Sequence, residues 1–266
     1  MWVRYSSDKI EARLGLQKIV FGPTQILRPL SWFDTFDLKD PTGQTDGVES
    51  FRLRWFPSNN IAVWSWLINN DLDTLSFGGR AEVTSAIGEF GFTYHQDPSQ
   101  SIQPIGQVGI PVYKSHNRIA VDYRFDGFIG LWNESVLVTS DKSKIRLITI
   151  GADYTIPVAN GVLLMTESMY ISNEYNNTQS DQNFSVFLAS LPIGMVHQVM
   201  YISQVDWKED KTYQYLRWSS TYDAYSLNMI ISVNPKRNQY NIPANSLSKS
   251  LSGFGTGIQF MFVYNH

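Results

Sequence analysis

Hydrophobic and polar residues alternate along most of the chain with a period of two residues. No stretch shows the period of 3.6 residues that is typical of an α-helix. Between residues 117 and 126 the apolar positions share one face of an extended chain, namely Ile119, Val121, Tyr123 and Phe125. The other face carries the polar positions, namely Arg118, Asp122, Arg124 and Asp126. This alternation is the signal of a β-strand.

The same pattern recurs about fifteen times by the strand rule. The runs lie at 2–6, 10–18, 48–57, 60–68, 76–84, 87–96, 117–126, 128–139, 144–155, 161–172, 183–191, 196–206, 211–221, 224–234 and 255–266. Many hold about ten residues, whereas a strand in soluble proteins usually holds about five or six. A strand that crosses a membrane needs about 9 to 11 residues with one apolar face, which these runs provide.

The connections between the runs are of two kinds. Tight ones fall at 7–9, 57–59, 140–143, 158–161 and 221–223. Long polar ones fall at 96–116, 173–182 and 235–252. Short turns at one rim and long loops at the other are typical of outer-membrane barrels. Neither an internal repeat nor a linker divides the chain, so we interpret residues 1–266 as a single β-barrel domain.

Residues 23–47 interrupt this order near the N-terminus, because they have neither period. A loop of this length is usually functional or disordered, and its composition argues for order. It carries the apolar side chains Ile26, Leu27, Leu30, Trp32, Phe33, Phe36 and Leu38 among the charged ones Arg28, Asp34, Asp37, Lys39 and Asp40. This mixture predicts a segment that packs against a wall while it presents charge.

The composition narrows the possible classes. The chain has 266 residues, of which 43% are hydrophobic, 17% charged and 14% aromatic, so it can bury a large core. The net charge of -3 and the lack of basic clusters exclude a strongly basic nucleic-acid binder. The lack of cysteine excludes a disulfide framework. No apolar run reaches the roughly 18 residues of a spanning helix.

These observations predict an all-β fold, a transmembrane antiparallel up-and-down β-barrel of about 14 to 16 strands with a long inward-folded loop near the N-terminus. A soluble sandwich or lipocalin-type barrel has the same period with the apolar face inward, and periodicity alone does not separate the two. The strand number favours the membrane barrel. So do aromatic residues near strand ends, namely Trp55, Trp64, Trp66, Trp132, Trp207, Trp218 and Tyr264.

Part of the chain also resembles a known group of proteins. The stretches RLGLQKIVFG at 13–22 and LRPLSWFD at 27–34, followed by Asp40-Pro41 and DGV at 46–48, are similar to a block of porin-like outer-membrane β-barrels of Gram-negative bacteria, especially Bacteroidetes. The alginate-export families are more distantly similar. The resemblance implies location in the cell outer membrane and contact with outer-membrane lipid. The residues show no cofactor motif, so we expect no cofactor.

Two features depart from that family pattern. The first strand begins almost at Met1, where the families place a signal peptide and earlier strands, so we expect one or more N-terminal strands and the signal peptide to be missing. The chain ends Tyr264-Asn265-His266, where the families usually end on an aromatic residue.

A barrel with a lipid-facing apolar face places its charges on the lumen side, because a charge facing lipid costs about 2 to 4 kcal/mol at the midplane. The predicted pore-lining and constriction residues are Arg28, Asp34, Asp37, Arg52, Arg54, Arg80, Arg118 and Arg124. Guanidinium groups match carboxylate, phosphate and sulfate. The predicted function is therefore a porin-like channel for passive diffusion of small polar or anionic solutes. In the plainer interpretation, these arginines only pair with carboxylates on neighbouring strands.

Other functions remain open. The loop could plug the lumen and leave a non-conducting barrel with a structural or surface-assembly role, or the chain could be a soluble β-rich carbohydrate-binding protein. The histidines have no serine and carboxylate placed for hydrolysis, so we expect no enzyme. Asp34, Asp37 and Asp40 recur at a spacing of three but lack the full calcium-loop ligand set, so we expect no metal.

Overall fold

The computed structural model describes residues 2–69, 74–99, 103–105, 110–112, 115–235 and 255–264. Within these ranges no helix has the length and hydrophobicity to cross a membrane. The strands are β1 (Trp2–Ser6), β2 (Ile10–Gln17), β3 (Val48–Ser58), β4 (Ile61–Asn69), β5 (Leu75–Ser85), β6 (Gly88–Asp97), β7 (Gln103–Ile105), β8 (Ile110–Val112), β9 (His116–Asp126), β10 (Gly130–Ser140), β11 (Ser143–Ile156), β12 (Val162–Tyr175), β13 (Thr178–Ile193), β14 (His197–Asp206), β15 (Lys211–Thr221), β16 (Tyr225–Val233) and β17 (Thr256–Tyr264).

Fifteen of these strands form one sheet in the order β1–β6 and then β9–β17. Each pairs antiparallel with its neighbours along the chain, and β6 pairs with β9 across the separate hairpin of β7 and β8. The predicted all-β, antiparallel, up-and-down arrangement and the strand number are confirmed. β1 and β17 are the two edges of the sheet and are not paired with each other over the residues that the structure describes.

Three details of the sequence prediction are wrong. The aromatic residues Trp64, Trp66 and Trp132, expected to support a membrane barrel, are buried on the inner face at 8%, 2% and 3% exposure. Residues 173–182 do not form a long loop, because β12 and β13 continue through them and join at Asn176 and Asn177. Both asparagines have positive φ, 47° and 65°, as a two-residue hairpin turn requires, and asparagine tolerates this conformation. The pair β7 and β8 was not predicted, since both strands are only three residues long.

The connections sort by length between the two ends of the sheet. At one end all are short, at 7–9, 59–60, 86–87, 127–129, 157–161, 194–196 and 222–224. The other end carries every long connection, at 18–47, 98–115 and 234–255, together with four short ones. We call these the turn end and the loop end. The antiparallel order places successive connections at alternate ends, and the three long ones all fall at the same end.

The two faces of the sheet differ in polarity and in exposure. One face presents large apolar side chains to the outside, for example Phe51, Phe77, Phe92, Val121, Ile148 and Phe187. We call this the outer face. The opposite, inner face holds buried polar groups, so Val121 is 49% exposed while its neighbour Asp122 is only 5% exposed. The outer face thus differs from that of a soluble sheet, because its large apolar side chains are exposed instead of buried.

The buried apolar core lies between the inner face and residues 18–47, which we call the inner segment. The segment contributes Ile19, Phe21, Ile26, Leu27, Leu30 and Phe33 to this core. The sheet contributes side chains of β4 and β9–β14, among them Trp66, Trp132, Leu147, Met169, Leu188 and Ile202. The inner segment therefore takes the place that a second layer occupies in a globular protein.

Candidate functional site

A buried glutamate on β12 binds the backbone of the inner segment. Glu167 Oε1 accepts the N–H of Gln25 at 2.7 Å, and its Oε2 accepts those of Ile26 at 3.1 Å and Leu27 at 2.6 Å. Glu167 is 1% exposed. One carboxyl group thus satisfies three consecutive donors that would otherwise be buried without partners.

A second glutamate, on β10, binds the segment just before and just after residues 25–27. Glu134 Oε1 accepts the N–H of Thr24 at 2.9 Å, and Oε2 accepts that of Leu30 at 3.1 Å. Gly22 lies against the same carboxylate with φ of 92°, and a Cβ there would collide with it. Glycine is required at this position because of both the close approach and the positive φ.

An aromatic cluster fixes the adjoining part of the segment. Phe21 stacks on Trp66 of β4 at 5.6 Å between ring centroids, and Phe33 meets His95 of β6 edge to face at 4.9 Å. Trp32 contacts Phe21 and Phe33 edge to face. The Trp66 indole N–H donates to His95 Nδ1 at 3.2 Å. Such ring pairs add about 0.5 to 1.5 kcal/mol each beyond area burial.

Arg80 joins this cluster to a network of charges on the inner face. Its guanidinium lies over the Phe21 ring at 5.3 Å. It binds both carboxylate oxygens of Asp122, with Nη2 at 2.9 Å from Oδ1, and Nε donates to Glu82 at 2.7 Å. Nη1 also donates to Thr93 at 2.8 Å. Arg80 is therefore held by carboxylates on two sides.

Arg118 and Arg124 follow on β9. Arg118 lies over the Trp32 ring at 5.6 Å, and its Nε donates to His116 Nε2 at 3.0 Å. Its Nη2 is 3.9 Å from Asp97 Oδ2. Arg124, nearer the turn end, pairs with Asp126 at 2.8 Å and is partly exposed. One of the two arginines therefore packs against the inner segment, and the other contacts solvent.

The charged residues of the inner segment bind one another. Arg28 pairs with Asp34 at 2.9 Å, and both side chains are at most 4% exposed. The Lys39 ammonium lies 4.0 Å from Asp37. Burial lowers the pKa of Lys39, and the charge of Asp37 opposes that shift. The Lys39 carbonyl accepts a hydrogen bond from the hydroxyl of Tyr215 on β15. This bond connects the inner segment to a strand near the C-terminal edge of the sheet.

The three aspartates at a spacing of three have separate partners. Asp34 faces Arg28, Asp37 accepts the Lys39 N–H at 2.9 Å, and Asp40 accepts the N–H of Thr42 at 2.8 Å. Across the residues that the structure describes, no group of three potential ligands forms a metal site.

Four arginines and one glutamate lie together on β1–β3. Arg4 is opposite Arg13, and Arg13 is opposite Arg52, so three like charges lie side by side. Glu11 forms an ion pair with each of the three, with Arg4 at 2.8 Å, Arg13 at 2.9 Å and Arg52 at 3.1 Å. Arg54 lies over the Trp64 ring at 4.0 Å. We call these five residues the arginine cluster.

The predicted pore-lining residues thus fall into separate groups. Arg52 and Arg54 share the Trp64 ring, whereas Arg28 and Asp34 are paired inside the inner segment. Over the described part of the chain, no hydrogen bond or ion pair joins Arg28, Asp34 or Asp37 to Arg52 or Arg54. Their common constriction remains a prediction.

Sequence reasoning missed Glu134, Glu167, Glu11, Arg4 and Arg13. Each lies at an inward position of its strand's alternation, which was the available signal. Position alone did not show which backbone or side chain would lie opposite.

No protein-family model matches the chain, and no curated protein matches it.

Proposed function

We propose that the protein is a β-barrel of the Gram-negative outer membrane, with the inner segment folded into its lumen. The observation that carries this proposal is the set of large apolar side chains exposed on the outer face, opposite an inner face that buries charged groups. Large apolar side chains are exposed on the outer face, while Arg80 and Asp122 are buried on the inner face. A soluble β-rich carbohydrate-binding protein would bury its apolar face instead. Large apolar side chains exposed on many strands of one face suit contact with lipid.

Strand number supports a barrel slightly larger than the fifteen-stranded sheet. In an up-and-down sheet with an odd number of strands, β1 and β17 run in the same direction, so direct pairing between them would be parallel. One further antiparallel strand would close the barrel and give the even number usual in single-chain bacterial barrels. Sixteen strands lie within the predicted range.

The distribution of connections suggests an orientation. Outer-membrane barrels have short periplasmic turns and longer extracellular loops. The turn end would therefore face the periplasm, and the loop end the outside. Since the inner segment leaves β2 and returns to β3 at the loop end, it would enter the lumen from the extracellular side.

We further propose that small polar or anionic solutes diffuse past the inner segment. Most contacts that hold the segment lie on β4–β6, β9, β10, β12 and β15. On β3, Arg52 Nη1 donates to the Lys18 carbonyl at 3.5 Å. On the edge strands the inner-facing Arg4 and Gln259 are exposed. A passage along this side would be lined by the arginine cluster, whose positive field attracts anions.

Planar-bilayer recordings test the channel. Wild-type protein is expected to conduct, with a preference for anions. Arg52→Ala and Arg54→Ala should shift the reversal potential toward cations, because each removes one positive charge from the passage. Arg146→Ala, on the outward-facing side of β11, serves as the matched control and should leave selectivity unchanged. Lack of any wild-type conductance would reject the open channel.

A plugged barrel is the second candidate, and the five backbone hydrogen bonds to Glu134 and Glu167 favour it. Deleting residues 24–46 separates the two functions. The deletion should be combined with Glu134→Gln and Glu167→Gln, since both carboxylates would otherwise lose their partners. A silent wild type and a conducting deletion variant would favour the plug. A wild type that conducts already supports the channel.

Membrane location has its own test. The full-length protein is expected in the outer-membrane fraction, and its electrophoretic mobility should change on heating. Recovery of folded protein from the soluble fraction without detergent would reject the barrel and favour the soluble alternative.

A further inference from the structure

We propose that the arginine cluster is a binding site for a small oxyanion, such as a carboxylate, phosphate or sulfate group of a solute. The inference deepens the proposed function, because it names a ligand class and a place on the inner face. It requires only that this part of the inner face is reached by water, and it does not require conduction.

The first argument is the imbalance of charge. Four guanidinium groups and one carboxylate give the cluster three excess positive charges. Arg4, Arg13 and Arg52 share Glu11, while Arg54 packs on the Trp64 ring. The neighbouring carboxylate, Glu82, is already bound by Arg80 and by the Trp64 indole. Like charges directly opposite one another on adjacent strands are destabilising. A bound anion would relieve that repulsion.

The second argument concerns unused hydrogen-bond donors. Arg52 is 5% exposed, yet its Nε has no hydrogen-bond partner, and the Nε of Arg54 is also unpaired. Over the described residues, no carboxylate lies within ion-pair distance of Arg54. A guanidinium presents five N–H donors in a planar fork that fits two oxygens of one anion. The cluster therefore has donors left for a ligand after Glu11 is satisfied.

The third argument is access. Side-chain exposure falls from 43% at Arg4 to 30% at Arg13 and 6% at Arg52. The cluster thus runs from solvent into the protein, and its deeper guanidinium is backed by the Trp64 ring at 5.3 Å. A site that is open on one side and has a low-dielectric wall on the other strengthens attraction for an anion.

The competing explanation is structural. In that case Glu11 and water satisfy the arginines, and the cluster only ties β1 and β2 to β3. The two explanations differ for Glu11→Gln. If the cluster binds anions, removal of the competing carboxylate increases anion affinity. If the cluster is structural, the variant destabilises the sheet and anions have no specific effect.

Isothermal titration calorimetry with sodium sulfate tests the site on full-length protein folded in an uncharged detergent, at constant ionic strength set with chloride. Saturable sulfate binding is expected. Arg54→Gln should raise the Kd about tenfold, because one charge-assisted contact is lost. Glu11→Gln should tighten it by a similar factor. Arg217→Gln, which removes a guanidinium from the inner side of β15, is the control and should keep the wild-type Kd.

Two further arms keep the result decisive. Arg13→Gln is measured beside Arg54→Gln, and it decides alone if Arg54→Gln does not fold, as judged by near-ultraviolet circular dichroism. Succinate should compete with sulfate, since each anion can offer two oxygens to one guanidinium group. Absence of saturable sulfate binding, or an unchanged Kd in both arginine variants, would overturn the proposal. Because no membrane is used, sulfate binding without conductance would leave this inference standing while rejecting the channel.

Discussion

On β10–β14 the inner face is mainly apolar, whereas on β1–β3 the same face of the same sheet carries the arginine cluster. The first region, which we call the apolar sector, includes Val136, Leu147, Met169, Val186 and Ile202, all at most 3% exposed. In the second, which we call the charged sector, side-chain exposure rises from the buried Arg52 to the exposed Arg4. The inner segment packs on the first and leaves part of the second open to solvent.

The contrast shows that one strand pattern serves two purposes. Where the inner segment covers the sheet, apolar side chains exclude water, and the two carboxylates are present only to accept its backbone N–H groups. In the charged sector, four guanidinium groups lie together and one carboxylate serves three of them. Burial in the apolar sector contributes stability, while the charged sector contributes an electrostatic field.

The largest expected effect breaks the packing of the inner segment. Trp66→Ala removes the ring that meets Phe21 and Phe33 and should lower the free energy of unfolding by about 3 to 5 kcal/mol. Denaturant unfolding in detergent measures it. Trp55→Ala, at a 48% exposed outer position of β3, is the control. Equal losses for the two variants would contradict a core between segment and sheet.

Glu167→Ala should cost slightly less. It leaves three buried N–H groups without an acceptor, and at about 1 kcal/mol or more for each the loss is about 3 kcal/mol. Protease cleavage within residues 18–47 should increase in parallel. Glu174→Ala, at an exposed position of the same strand, should behave as wild type. A protease-resistant segment in Glu167→Ala would show that the aromatic cluster alone holds it.

Val121→Arg tests whether the outer face contacts the hydrocarbon of the membrane. Midway along β9, this substitution should cost about 2 to 4 kcal/mol when the protein is folded in lipid bilayers. Phe128→Arg, in the turn at 127–129 and 82% exposed, should have little effect. If both variants retain wild-type stability in lipid, the outer face does not contact the hydrocarbon.

The smallest effect is expected in the charged sector. Arg13→Gln removes one of three partners of Glu11 at a side chain that is 30% exposed, and should change stability by less than about 1 kcal/mol. Unfolding measurements under the same conditions as for Glu167→Ala provide the comparison. A loss as large as that of Glu167→Ala would mean that the charged sector is structural, like the apolar one.

Sequence alone located all fifteen strands of the main sheet, because alternation at period two records that every strand has two unlike faces. It also identified the inner segment, since Trp32 and Phe33 beside Arg28 and Asp34 are unusual in a solvated loop. The turn at Asn176 and Asn177 was not predicted, because the strand residues on both sides of it are polar and do not alternate with apolar ones.

Two facts were decided only by the tertiary structure. An alternating pattern is symmetric, so it does not state whether Val121 or Asp122 faces the interior; that depends on what the sheet packs against. The partners of Glu134 and Glu167 lie 104 to 142 residues earlier in the chain. Those contacts require the register of every strand between them, and no local propensity carries that information.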